Sequence, residues 1–142
     1  MTAKAYLNRI RTLDLELKCK EHELERLRAD SYSLSAIDYA KDRISGGGVN
    51  RGDLAGSIAR ISDLMLEINQ EWNILIRKRA EARICINQLE TPIYRVILTE
   101  RYLLGRRWED IAVGLNYSWK GVFKIHSKAI KEFERVHGST LP

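Results

Sequence analysis

The sequence predicts an all-α protein: a long antiparallel helical hairpin (a coiled coil) followed by a C-terminal three-helix helix-turn-helix domain. Two long stretches carry apolar residues in alternating steps of four and three, the period of a coiled coil. Proline occurs only twice in 142 residues, so few positions interrupt a helix. A Thr-Pro pair at residues 91 and 92 then begins a segment of shorter helices. We therefore expect two domains, residues 1–90 and residues 91–142.

The first helix is predicted from Thr2 to about Ala29. Thr2 can cap its first turn by accepting an otherwise unpaired backbone N–H. A stripe with coiled-coil spacing, interrupted by one lysine, comprises Tyr6, Ile10, Leu13, Leu17, Lys20, Leu24 and Leu27. This pattern predicts a long amphipathic helix.

A glycine-rich connector is predicted between about residues 30 and 52. Gly46–Gly48 lack the steric bias that sustains a helix. Three glycines also suggest a phosphate-binding loop, but no Gly-Lys-Ser/Thr follows them and no strand precedes them. A flexible hinge is therefore the preferred interpretation.

The second long helix is predicted from Asp53, a candidate cap, to Leu89, a length of about 55 Å at 1.5 Å per residue. Its stripe comprises Leu54, Ile58, Ile61, Met65, Ile68, Trp72, Leu75, Arg79, Ala82, Ile86 and Leu89. Since each buried aliphatic side chain contributes roughly 1.5–3 kcal/mol, the stripe needs a partner, and the first helix can fold back against it. Because the first helix is shorter, the part of the stripe near Ala82 to Leu89 remains to pack against another subunit or the C-terminal module. We favour a homo-oligomer formed through the coiled coil.

The C-terminal module begins with Thr91 as a cap and Pro92 at the first helical position. Its helices are predicted at residues 92–104, ending at Gly105, at residues 108–115, and from near Ser118 to about Val136. A helix-turn-helix needs a small residue at the crossing, a turn that tolerates positive φ, and apolar residues that fix the angle. These roles fit Ala112, Asn116, Ile111, Leu115, Val122 and Ile125, with Ser118 capping the third helix.

The third helix carries a basic face. Lys120, Lys124, Lys128 and Lys131 share one side, opposite an apolar stripe, and no acidic residue occurs between Ser118 and Lys131. A helix with such a face fits the major groove of double-stranded DNA, where lysines neutralise phosphates. The candidate DNA-binding residues are Arg106, Arg107, Ser118, Trp119, Lys120, Phe123, Lys124, Ser127, Lys128 and Lys131.

The aromatic residues beside the lysines have two interpretations. Trp119 and Phe123 can contact thymine methyl groups, or they can pack against the coil or a second subunit, and the sequence leaves both open. For His126 and Ile130 we favour packing.

Composition narrows the function classes. Net charge is +5 and the isoelectric point is near 9.3. Cys19 and Cys85 lie far apart, without metal-ligand spacing, and are predicted to be buried reduced thiols, as suits a cytoplasm. No catalytic constellation, metal set or membrane span is evident. We expect a non-enzymatic cytoplasmic protein without a cofactor, a metal ion or a membrane partner.

Several short motifs stand out in the C-terminal module: Arg101-Tyr102-Leu103-Leu104-Gly105, Trp108-Glu109-Asp110-Ile111-Ala112, Leu115-Asn116-Tyr117-Ser118 and Val122. Together they resemble region 4 of bacterial sigma factors. The similarity covers roughly residues 91–137 and is greatest to phage and prophage late-gene regulators of the ArpU/RinA type. This resemblance implies a sequence-specific activator of phage genes that acts with host RNA polymerase in the cytoplasm of a bacterial host cell.

Three positions depart from the family pattern. Arg107 stands where the family has a capping Ser or Thr, and Asn116 replaces a turn glycine. Gly121 lies inside the third helix, at a cost of about 1 kcal/mol relative to alanine, and can allow close approach to DNA or to a neighbour.

Two alternatives stay open. A small-terminase-like DNA-packaging protein would also combine a coil with a helix-turn-helix and would assemble into rings, although its DNA-binding module usually comes first. An adaptor would dock on RNA polymerase without contacting DNA.

Overall fold

A computed structural model describes residues 1–45 and 51–142, and every regular element in these ranges is helical. The predicted all-α class is therefore confirmed. The helices are α1 (Ala3–Ser45), α2 (Arg51–Asn87), α3 (Pro92–Leu98) with a π-helical turn at Thr99–Leu103, α4 (Trp108–Leu115) and α5 (Trp119–His137).

Helix α1 is longer than predicted. It continues to Ser45, and α2 begins at Arg51, so the connector prediction is wrong for residues 30–45 and for residues 51 and 52. This stretch contains neither glycine nor proline, and its serines and aspartates cost only a few tenths of a kcal/mol each in a helix. The remaining connector residues 46–50, including Gly46–Gly48, lie outside the described residues.

The start of α1 has the predicted cap, since Thr2 Oγ1 accepts the Ala5 N–H at 3.2 Å. The buried stripe differs in part from the predicted one. Ile10 and Leu17 are buried as expected, but Leu7 and Asp14 are buried as well. Tyr6 and Leu13 are half-buried at the stripe's edge.

Helix α2 begins at Arg51, so Asp53 lies within its first turn rather than at the cap position. Its carboxylate still has a favourable interaction with the helix dipole there. In the first half of the helix, the predicted Ile58 and Met65 are 52% and 40% exposed, whereas Ser57 and Leu64 are buried. A straight helix drifts by about 20° per heptad relative to a 3.5-residue repeat, so an extrapolated stripe can miss by one residue.

The described residues form two compact units. Residues 16–73 form one of them, and here Lys20, the residue that interrupts the α1 stripe, pairs with Glu67 at 2.7 Å and with Glu71. These hydrogen bonds raise the pKa of Lys20 above its usual range. Beside it, Trp72 Nε1 donates to Glu21 at 2.8 Å.

The other unit comprises residues 1–15 and 74–142. Ala82, Ile86 and Leu89 are fully buried in it. The unit also holds His137, whose Nε2 lies 2.8 Å from the Cys85 carbonyl oxygen. The first residues of α1 and the last part of α2 therefore contribute to the same core as the C-terminal helices. The predicted domain boundary at residue 91 lies inside this unit.

The two cysteines differ in exposure. Cys19 is exposed and Cys85 is half-buried, so the prediction of two buried thiols is wrong for Cys19, which lies outside the buried stripe of α1. Burial raises the pKa of the Cys85 thiol, and the charge of Glu81 adds to the effect. Among the described helices, none has the length and apolar character that crossing a bilayer requires.

Candidate nucleic-acid interface

Helix α3 begins at Pro92 as predicted, but the Thr91 side chain makes no capping bond. The Thr91 carbonyl instead accepts the Tyr94 N–H at 3.1 Å. The predicted helix at residues 92–104 widens into a π-helical turn, closed by the Leu104 N–H and the Thr99 carbonyl at 2.9 Å. Gly105 then has the expected positive φ, 69°.

The connection between α4 and α5 has the predicted backbone. Asn116 is left-handed, with φ 61° and ψ 35°, a conformation that asparagine tolerates better than most residues. Ser118 Oγ accepts the Gly121 N–H at 3.0 Å and caps α5. Under this connection, Ile111, Ala112 and Val122 form a buried cluster.

A local steric constraint, which the sequence pattern does not reveal, explains why glycine fits at position 121. A Cβ at this position would lie 3.2 Å from Ser118 Oγ, tighter than an ordinary contact. The glycine therefore leaves room for the cap, and close approach to DNA or to a neighbour stays a prediction.

The four lysines of α5 form an exposed face, which we call the lysine face: Lys120, Lys124, Lys128 and Lys131. On the opposite side, Val122, Ala129 and Phe133 are buried. None of these lysines forms an ion pair with a residue in the ranges 1–45 and 51–142, whereas Glu132 pairs with Arg135 at 2.6 Å. The lysine face therefore concentrates four positive charges on one side of one helix.

Arg106 and Arg107 are exposed but paired. Arg106 lies 2.8 Å from Glu100, and Arg107 lies 3.3 Å from Asp110. The hydrogen bond to Asp110 raises the pKa of Arg107, and α4 has no side-chain cap at this position. Carboxylates partly neutralise both guanidinium groups. Arg106 and Arg107 are therefore weaker candidates for phosphate contact than the lysine face.

The remaining predicted site residues lie on the first half of α5. The Ser118 hydroxyl is engaged in the cap, and Ser127 is exposed. Trp119 is 50% exposed and Phe123 is 40% exposed, with ring centroids 5.8 Å apart. Since Phe123 also contacts Trp108 edge-on at 5.2 Å, these aromatics pack in part and are exposed in part, and both interpretations stay open.

His126 packs within its own unit. Its Nε2 lies 2.7 Å from the buried Tyr102 hydroxyl, and its ring meets Trp108 edge-on at 4.7 Å. Burial, with the charges of Lys4 and Arg101, lowers the pKa of His126 to about 4. The imidazole is therefore neutral at pH 7.

Sequence reasoning missed the side chains that surround this histidine. Arg101 lies over the Trp108 ring, 4.4 Å from its centroid, and burial lowers the pKa of its guanidinium, with a further effect of Arg11. Arg101 and Trp108 are separated by an irregular loop, so no helical periodicity links them in the sequence.

The surface features of the site are cationic and aromatic. Exposed cations and half-exposed aromatic rings occur together on one surface, and within the described ranges no three His, Cys, Asp or Glu residues are grouped as metal ligands would be. No protein-family model, no curated protein and no solved structure matches the chain.

Proposed function

We propose that the chain is a sequence-specific transcription regulator of a phage or prophage that binds double-stranded DNA in the bacterial cytoplasm and acts with host RNA polymerase. The lysine face carries the proposal. Its four exposed ammonium groups have no carboxylate partner among the described residues and repel one another by a few tenths of a kcal/mol per neighbouring pair. DNA phosphates would neutralise these charges and release condensed counterions.

The finer architecture proposed is a helical hairpin followed by a helix-turn-helix. Within residues 16–73, Glu21 contacts Trp72 and Arg28 contacts Met65. Advancing seven residues along α1 thus means retreating seven along α2, which supports an antiparallel pairing. In the C-terminal part, α4 and α5 meet at the left-handed Asn116, and α5 serves as the recognition helix.

The DNA proposal is tested by fluorescence anisotropy with duplexes selected from a random library, over a series of salt concentrations. Lys124→Ala removes one charge from the lysine face and should weaken binding to all sequences. It should also reduce the slope of log K against log salt by about one. Arg60→Ala, which removes an exposed charge from α2 in the other compact unit, is the matched control and should leave the slope unchanged.

An equal effect of Lys124→Ala and Arg60→Ala would contradict the groove assignment. The polymerase adaptor is distinguished by reversing two charges, Lys120→Glu with Lys124→Glu. Transcription activation in a reconstituted assay should be lost if DNA contact is required. Retained activation would favour an adaptor that touches polymerase alone.

Self-association is proposed through α2. Ile76 and Ile84 are 57% and 62% exposed and lie two turns apart, with Ala80 between them on the same face. We expect multi-angle light scattering to give a dimer that Ile84→Glu disrupts, while Val113→Glu on α4, at a position 81% exposed, leaves it intact. A ring of eight or more copies would instead favour the packaging protein.

A further inference from the structure

A second cationic feature lies beside the lysine face. An open pocket of about 200 Å³ is formed by the start of α1, the π-helical turn, Trp108 and one side of α5. Its lining contains two cations, no carboxylate and three aromatic rings besides an imidazole. The lining residues are Lys4, Asn8, Arg101, Tyr102, Trp108, Phe123 and His126.

Arg101 is held in place within this pocket. Its guanidinium stacks on Trp108 at 4.4 Å, and its Nη1 donates to the Arg106 carbonyl at 3.1 Å. Arginine has five N–H donors in a planar fork, so these contacts orient the group while leaving donors for a ligand. Its burial and the nearby Arg11 both disfavour the positive charge, a cost that a bound anion would offset.

Lys4 supplies the second charge. It lies on the exposed side of α1 and forms no ion pair with any residue the structure describes. The charge of Lys4 contributes to the low pKa of His126, so its field reaches into the pocket. His126 is neutral at pH 7 and its Nε2 is engaged by Tyr102, which leaves Lys4 and Arg101 as the cations that define the site.

The pocket adjoins the lysine face through Phe123. This residue forms part of the wall and lies three residues after Lys120 and one before Lys124. At about 100° per residue, Phe123 is about 60° from Lys120 around the helix axis. An anion in the pocket would therefore lie beside whatever the lysine face binds.

We propose that this pocket binds a phosphate group, with Lys4 and Arg101 supplying the charge and Trp108 holding the guanidinium in place. In the complex this group is a backbone phosphate of the DNA on the lysine face, so that part of the inference rests on the proposed function. The first helix would then contact DNA together with the recognition helix. A free phosphate-bearing small molecule has the same chemistry and is distinguished by the test.

The first arm of the test compares two charge removals on α1. Lys4→Ala should lower DNA affinity about tenfold at 0.1 M salt and reduce the salt slope by about 0.9, the value for one lost phosphate contact. Arg9→Ala removes another exposed cation of α1 that is not part of the lining and should change neither quantity. Arg101→Gln should reproduce Lys4→Ala, with circular dichroism checking that it folds.

The second arm titrates inorganic phosphate into the full chain without DNA, with sodium chloride matching the ionic strength. The indole N–H resonances of Trp108 and Trp72 are followed by NMR. Saturable movement of the Trp108 resonance alone, abolished by Lys4→Ala, supports a phosphate site.

The two arms separate the possible results. Phosphate binding with equal salt slopes for Lys4→Ala and Arg9→Ala would keep the site but overturn its assignment to DNA. If neither arm responds to Lys4→Ala, the pocket proposal is overturned, even where Lys124→Ala still lowers the slope and the proposed function stands. If the wild-type chain binds no DNA, the proposed function fails, and the phosphate titration alone decides on the pocket.

Discussion

The Tyr102 hydroxyl and His126 Nε2 lie 2.7 Å apart, and the two side chains are 2% and 8% exposed. Burial raises the pKa of Tyr102 to about 12 and, with nearby cations, lowers that of His126 to about 4. Both groups are neutral at physiological pH. The pair satisfies two buried polar groups without placing a charge in the core.

This pair predicts a pH dependence of stability. Well above pH 6.5, the usual pKa of histidine, His126 is neutral in both the folded and unfolded states. As the pH falls towards 4 the unfolded chain takes up a proton that the folded chain resists, so stability is lost over this window. The shift corresponds to about 3 kcal/mol. Urea unfolding of the wild type and of His126→Gln, from pH 7 to pH 4, measures the contribution of His126. All other groups titrate in both proteins, so the difference between the two pH curves isolates this residue. Parallel pH curves would contradict the assignment.

A second prediction concerns the ion pair of Asp14 and Arg79, whose atoms lie 2.8 Å apart with side chains 4% and 25% exposed. Asp14→Ala should lower the free energy of unfolding by about 3 kcal/mol, because it leaves a partly buried cation unpaired. Arg79 Nε already lacks a hydrogen-bond partner.

The control for this prediction replaces both partners. Asp14→Leu with Arg79→Met should recover most of the loss, since apolar pairs of similar volume often equal a buried ion pair. Thermal unfolding of the three proteins checks it. If the double variant is as unstable as Asp14→Ala, the ion pair itself contributes net stability. The unpaired charge of Arg79 would then not explain the loss in Asp14→Ala.

A third prediction concerns the start of α5. Ser118→Ala should cost about 1 kcal/mol of stability, the usual value for a lost N-cap. Gly121→Ala should gain less than the usual ~1 kcal/mol, because the new Cβ would crowd Ser118 Oγ at 3.2 Å. In the Ser118→Ala background the crowding is removed and the full gain should return. A double-mutant cycle by urea unfolding measures this coupling, and strict additivity would refute it.

A fourth prediction distinguishes the two roles of Trp119. If this half-exposed ring contacts a thymine methyl, Trp119→Ala should weaken binding to the preferred sequence and leave binding to other sequences nearly unchanged. Competition binding with duplexes altered at single base pairs measures the change. A uniform loss across all sequences, or a change in oligomer size, would favour the packing role instead.

Local patterns made much of the C-terminal part predictable. The bounds of α4, the left-handed Asn116 and the Ser118 cap each depend on a few neighbouring residues. The four exposed lysines were also predictable, because their spacing opposes an apolar stripe on the same helix. By contrast, the burial of Ser57 and Leu64 in place of Ile58 and Met65 was not, since a small error in helical period accumulates over many turns.

The sequence by itself determined the helical class, the turn between α4 and α5 and the lysine face, because periodicity, capping and positive φ are properties of short segments. Tertiary structure decided which residues far apart in the chain meet: Asp14 with Arg79, Tyr102 with His126, and Lys4 with Arg101 around one pocket. Such long-range contacts depend on how the helices pack and on how an irregular loop directs the chain.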